Sequence, residues 1–183
     1  MSILFINACV REGSRTLVLA KDVMKDLCGA IVEVDLNQEA IQPLGREQLE
    51  KREQLIRSGM TDDPMFRYAK QFAVADEIVI AAPFWDLSFP AMLKIYLEQI
   101  TVSGITFTYK SGRPEGLCRA KRLTYVTTSG GPILDDFGYT YVKSLAKSFY
   151  GIQSTRAVRA MNLDVDMISP QELLKKATIS VIE

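Results

Sequence analysis

Histidine is absent from the 183-residue chain. That excludes the Ser-His-Asp and Cys-His mechanisms and every metal site built on imidazole. Cysteine is scarce: Cys9, Cys28 and Cys118 are odd in number, far apart and without a CxxC pair, so they supply neither a disulfide framework nor a metal-binding spacing. Charge of one sign is also missing in excess, because 22 Lys and Arg balance 22 Asp and Glu. A nucleic-acid or membrane-surface binder needs a basic surplus, and neither partner is expected. No basic leader precedes the apolar N-terminus and no run is long enough to span a bilayer, so a cytoplasmic protein is expected. If the chain is an enzyme, a cofactor is expected to carry its chemistry.

What the chain does contain is apolar material, 48% of it, enough to bury one good-sized core; a single domain over 1–183 is expected. Ile3 to Ile6 is a continuous apolar run, suited to a strand buried on both faces. Leu17, Ala20, Val23, Met24 and Leu27 then recur at helical spacing up to Gly29, and Ile31 to Val34 reads as a second strand. Glu47 to Arg57 is a charged helix, and Asp63-Pro64 opens another, with Asp63 as N-cap. Further strands are expected over Glu77 to Ala81, Leu123 to Thr127 and Thr155 to Met161. Ile105 to Tyr109 alternates like a short β-excursion, and Gly112 to Gly116 reads as a turn region. A helix ends near Gly151, and a last one starts at the capping sequence Ser169-Pro170-Gln171-Glu172 and runs towards Ile182. Five strands alternating with helices predict an α/β three-layer, doubly wound fold with a five-stranded parallel sheet. Phe89 to Ile100 is apolar over most of its circumference, which implies a helix buried on two sides: the sheet, and a partner subunit.

In such a fold, ligands lie beyond the carboxyl ends of the strands. Three loops stand there. After the first strand, Arg11, Gly13, Ser14, Arg15 and Thr16 offer backbone freedom, hydroxyl donors, charge and the positive end of a helix dipole, the chemistry of a phosphate cradle. A plain helix cap with two solvated arginines is the alternative. Cys9, beside this loop, is either a small core residue or a ligand contact. After the third strand, Pro83, Phe84, Trp85, Asp86 and Leu87 place aromatics where a flat heteroaromatic ring would cover them. After the fourth, Thr128, Ser129, Gly130 and Gly131 bring bare backbone N–H groups to the same end, or form only a turn. Together the loops match a phosphorylated flavin at a flavodoxin-like switch point.

The residues also resemble a known family. Ala82-Pro83-Phe84-Trp85-Asp86-Leu87, Pro90-Ala91-Met92-Leu93-Lys94, Gly104-Ile105-Thr106-Phe107-Thr108-Tyr109, Pro114-Glu115-Gly116-Leu117 and Thr128-Ser129-Gly130-Gly131 stand in the order found in FMN-dependent NAD(P)H quinone/azoreductases of the flavodoxin-like superfamily. The resemblance covers nearly the whole chain. It implies that Ser14, Arg15 and Thr16 hold the FMN phosphate, and that Pro83 to Leu87 and Thr128 to Gly131 hold the isoalloxazine. Trp85 and Phe149 are then substrate-stacking platforms. The chain departs from the family at Asp86, where asparagine is frequent, and at Ser129, where arginine is common. A carboxylate accepts from flavin N3–H but cannot donate to a carbonyl, so Asp86 bears on flavin affinity and potential.

The implied activity is ping-pong hydride transfer from NADH or NADPH, through FMN, to a quinone, azo compound or similar small-molecule electron acceptor. A homodimer is implied too, with sites at its interface. Other acceptors on the same flavin, such as ferric iron, chromate or nitroaromatics, remain open. So does a flavin-binding electron carrier or sensor without a small substrate, although a carrier needs an acidic docking face that the balanced charge does not suggest.

Overall fold

In strand β1 (Ser2–Asn7), five of the six residues are buried, and alternate ones enter two different cores. Leu4 and Ile6 join the larger cluster while Ile3 and Phe5 join the other. Such a two-sided strand has no polar face, which explains its unbroken apolar run. The structure is a computed structural model and describes residues 1–165, 169–177 and 181–182.

The same alternation recurs in β3 (Glu77–Ala81), where Ile78 and Ile80 face one core and Val79 and Ala81 the other. With β2 (Ala30–Asp35), β6 (Arg122–Thr128) and β7 (Ser154–Ala160), these strands form a parallel sheet in the order β2-β1-β3-β6-β7. The expected five-stranded parallel sheet is present, in the order typical of flavodoxin-like proteins. Helix α1 (Arg15–Lys25) covers one face with Leu19, Ala20, Val23 and Met24, joined by α6 (Pro170–Ala177). The other face carries α3 (Arg67–Val74), α4 (Ala91–Ile100) and α5 (Phe137–Leu145), through Phe72, Leu93, Tyr96 and Val142 among others. Charged α2 (Arg46–Arg57) contributes Leu55 to a small cluster with Phe66, Ala69 and Val102.

Several details differ from the sequence-based expectation. Helix α1 starts two residues before Leu17, because Ser14 caps it by accepting from the Leu17 N–H, and ends at Lys25. Gly112 to Gly116 is more than a turn: β4 (Phe107–Lys110) and β5 (Arg113–Gly116) pair antiparallel around Ser111 and Gly112, both at positive φ. Gly116 packs against the Tyr150–Gly151 backbone so closely that a Cβ would overlap it. The apolar circumference of α4 is partly consumed within the chain, since Tyr96 sits edge-on to Tyr68 of α3 at 5.7 Å. The last helix is described over Pro170–Ala177; its expected continuation over 178–180 lies outside the described residues, and in place of a helix running to Ile182, β8 (Val181–Ile182) pairs antiparallel with β7. Among the described residues, no helix is long and apolar enough to cross a membrane.

Candidate functional site

The loops that follow β1, β3, β6 and β7 enclose one cavity of about 430 Å³ at the carboxyl edge of the sheet. In the first loop, Gly13 stands at φ 67°, a conformation only glycine adopts without strain, and this turn leads the chain into α1. The Ser14 N–H donates to the Arg11 carbonyl at 3.2 Å, and the Val18 N–H reaches the Ser14 carbonyl. The N–H groups of Gly13, Arg15 and Thr16 donate to no acceptor among the described residues. Unpaired amides at the positive end of an 11-residue helix make an anion site.

The second loop is held by backbone. The Phe84 N–H donates to the Thr128 carbonyl at 3.0 Å, which ties it to the third loop. Trp85 and Ser88 exchange bonds of 3.2 and 2.7 Å, closing a tight turn whose central residues, Asp86 and Leu87, stand at φ 49° and 63°. Two consecutive non-glycine residues at positive φ store strain of about 1 kcal/mol each. They re-aim the chain so that Trp85, 37% exposed, looks over the cavity mouth. Phe137 at the start of α5 donates its N–H to the Leu87 carbonyl at 3.1 Å and braces the turn from behind.

The third loop is clamped to the chain beyond β7. The N–H groups of Asn162, Leu163 and Asp164 donate to the carbonyls of Gly131, Ser129 and Gly130. A Cβ at Gly130 would overlap the Asp164 carboxylate as it stands, so any larger residue there would push that side chain aside. The N–H groups of Gly130 and Gly131 have no acceptor among the described residues. Ser129 turns its hydroxyl onto the Gly131 carbonyl at 2.5 Å.

The family follows from comparison of the chain with known proteins. A sequence family described as having a flavodoxin-like fold matches residues 1–181. The FMN-dependent NADH:quinone oxidoreductase of Coprothermobacter proteolyticus is 35% identical over 165 residues, covering 84% of this chain and 82% of that protein. The protein of the same description from Clostridium perfringens is 33% identical over 184 aligned positions, covering 95% and 92%. The chain belongs to this flavodoxin-like family, with the FMN-dependent NADH:quinone oxidoreductases among its relatives. Its fold is shared with an azoreductase from Bacillus anthracis, at a TM-score of 0.81 and 22% identity over 97% of this chain and 94% of that one. An FMN-dependent NADH-azoreductase from that species, in complex with FMN, gives a TM-score of 0.79 at 23% identity over 97% and 93%.

Against that family background, the cavity brings together Arg11, Ser14, Arg15, Thr16, Pro83, Phe84, Trp85, Thr128, Ser129 and Gly130. Arg15 and Thr16 make contacts that bear on their roles. The Arg15 guanidinium donates to Asp164 Oδ1 at 2.7 Å and to the Leu163 carbonyl at 3.0 Å. Thr16, 1% exposed, shares a 2.6 Å hydrogen bond with the Thr128 hydroxyl and so joins α1 to β6 beneath the cavity.

Five expected residues lie outside the cavity wall. Cys9 is a core residue whose thiol donates to the Ala81 carbonyl at 3.8 Å, and burial pushes that thiol up to about 11. Asp86 and Leu87 occupy the exposed tip of their turn, and Gly131 lies behind Gly130. Phe149 packs edge-on against Phe107 at 5.1 Å, on the β4–β5 hairpin. Conversely, Val10, Glu12, Leu163 and Asp164 line the cavity without having been picked out from sequence. The signal available for the last two was the polar Asn162-Leu163-Asp164 run past the end of a parallel strand, the position where open sheets bind ligands.

Proposed function

We propose that this chain is an FMN-dependent NAD(P)H oxidoreductase that reduces quinone, azo or similar small acceptors. The carrying observation is the meeting, in one cavity, of helix-opening amides that lack an acceptor and a half-exposed indole. The first is the chemistry of a phosphate monoester site and the second that of a flat ring, so the residues present fit FMN. Bound FMN would supply hydride acceptance and donation, chemistry that side chains do not provide.

The remaining work falls to the chain. Gly13, Arg15 and Thr16 offer their N–H groups to the phosphate, Ser14 adds its hydroxyl, and the exposed Arg11 adds positive charge. Gly130, whose backbone N–H has no acceptor among the described residues, offers it towards the polar ring edge, while Pro83, Phe84 and Trp85 give the ring an apolar neighbour and keep water from it. Asp86, at the turn tip, belongs to the rim in this arrangement, where its charge would act at a distance.

The reading extends to a cytoplasmic homodimer of chains that each form a single domain over 1–183. Support comes from the exposed apolar side chains on and beside the aromatic turn: Trp85, Leu87, and Phe137 at 59% exposure. An apolar rim beside a ligand cavity is suited to a second copy that closes the site. Phe149, Asp86 and Leu87 would then act across the interface. The test is the visible spectrum of the purified protein, followed anaerobically under NADH and NADPH in turn. A flavin absorbance that bleaches on adding a donor is expected. A protein that retains no flavin and gains no NAD(P)H oxidation on adding FMN would refute the proposal.

A further inference from the structure

At the opposite edge of the sheet, where β6 and β7 begin, lies a second cavity of about 400 Å³. Its wall carries Arg122, Lys143, Lys147 and Arg156 with the neutral polar side chains of Gln153 and Ser154, and no described wall residue is acidic. One of the four cations is neutralised: the Arg122 guanidinium meets Glu77, 6% exposed, at 2.6 Å. The other three have no carboxylate partner among the described residues. Arg156 lies across from Thr124 in the sheet and donates its Nε to that hydroxyl at 2.9 Å, which fixes the guanidinium at the cavity wall. Lys143 lies in the last turn of α5 with its Nζ 5.8 Å from the Tyr139 ring centre. Lys147 follows one turn later, on the π-helical segment Ala146–Tyr150.

Three uncompensated cations around a concavity repel one another, in a chain whose formal charge is zero. Burial and the field of Arg122 already depress the Arg156 guanidinium. We propose that this cavity is a second anion site that takes a small phosphate-bearing molecule. A guanidinium, two ammonium groups, an amide and a hydroxyl are the donors that phosphate oxygens accept from, and a charge of three is enough to neutralise a phosphate monoester or most of a pyrophosphate. The concave shape favours a compact anion over a strand of nucleic acid. The seven residues of β6 separate this site from the flavin cavity by about 20 Å, so the two sites do not share ligands.

The test is calorimetric titration of the FMN-loaded protein with inorganic phosphate, pyrophosphate and ribose 5-phosphate, at an ionic strength held constant with sodium chloride. One saturable site is expected in the parent protein. The variant K143Q/K147Q keeps the Arg156–Thr124 bond, and R156Q keeps both lysines. Each is expected to bind at least about tenfold more weakly, a loss of roughly 1.4 kcal/mol, with an unchanged flavin spectrum. Tighter binding of the sugar phosphate would assign the site to a phosphate ester, and tighter binding of the inorganic ions would assign it to free phosphate. Non-saturating heats, binding that disappears at constant ionic strength, full retention in K143Q/K147Q, or tighter binding of a single-stranded oligonucleotide than of any small phosphate would overturn the proposal.

Discussion

Arg15 has two claims on it, and the geometry records one of them. Its guanidinium holds Asp164 at 2.7 Å, a pair whose side chains are 43% and 63% exposed. Exposed pairs contribute only about 0.2–1 kcal/mol, whereas a guanidinium on a phosphate forms charge-assisted bonds of about twice neutral strength. A phosphate in the α1 cradle therefore competes well for Arg15, and Asp164 opposes it twice: as a rival acceptor and as a like charge in the wall. Asp164→Asn is expected to tighten FMN about threefold, and Arg15→Ala to weaken it by more than that. In the Arg15→Ala background the Asp164→Asn gain should shrink. Fluorescence titration of apoprotein at low salt measures all four affinities, and an Asp164→Asn protein with weaker FMN binding would refute the account. Arg15 was legible from sequence as a cation beside a helix start. Its partner was not, because 148 residues separate Arg15 from the Leu163 carbonyl it also holds, and the two meet only because α1 packs on β6 and β7 lies beside β6 in the sheet.

Helix α5 acts as a brace because of one buried ion pair. Asp136 accepts from the Tyr139 N–H at 2.8 Å, capping the helix, and takes two bonds of 2.9 and 2.7 Å from Arg159 of β7. Both partners are nearly buried, at 12% and 11% exposure. The next residue, Phe137, donates to Leu87 and so connects this clamp to the strained turn carrying Trp85. Asp136→Asn keeps the capping oxygen but leaves Arg159 buried and unpaired, a loss of about 3 kcal/mol. In a chain of this size that lowers Tm by about 10 °C. FMN affinity should fall with it, since the turn loses its support. Replacing both partners, as in Asp136→Leu with Arg159→Met, should recover much of the melting temperature but not the affinity, because the helix cap that braces Leu87 is still gone. A melting point for Asp136→Asn within about a degree of the parent would refute the clamp. The helices themselves were readable from their apolar spacing and caps, as Asp63 and Ser169 illustrate. The β4–β5 pairing was hidden by Pro114, a residue that argues against a strand but is tolerated at the edge of a two-stranded ribbon.

Across the whole molecule, a sheet buried on both faces leaves ionisable hydroxyls and thiols without water. The Cys9 and Cys118 thiols are pushed up to about 11 and about 12 by burial. The buried phenols of Tyr96, Tyr125 and Tyr150 are raised above the ordinary tyrosine range for the same reason. In the unfolded chain thiols ionise near about 8.5 and phenols near about 10. Between those values and the folded ones, the unfolded chain has released protons that the folded chain still holds. The unfolded state therefore binds fewer protons, and stability falls as pH rises. These groups favour the fold fully below about pH 8.5 and do so progressively less through pH 9 to 12. The urea midpoint is expected to be lower at pH 10.5 than at pH 7.5. Cys118→Ala should reduce the difference between the two pH values even though it weakens packing at both. Cys28, exposed, should alkylate in the folded protein at pH 8 while Cys9 and Cys118 are protected until the chain unfolds. An unchanged or higher urea midpoint at pH 10.5, measured with the cofactor removed to exclude a contribution from flavin release, would contradict the burial of these five groups as the source of alkaline sensitivity.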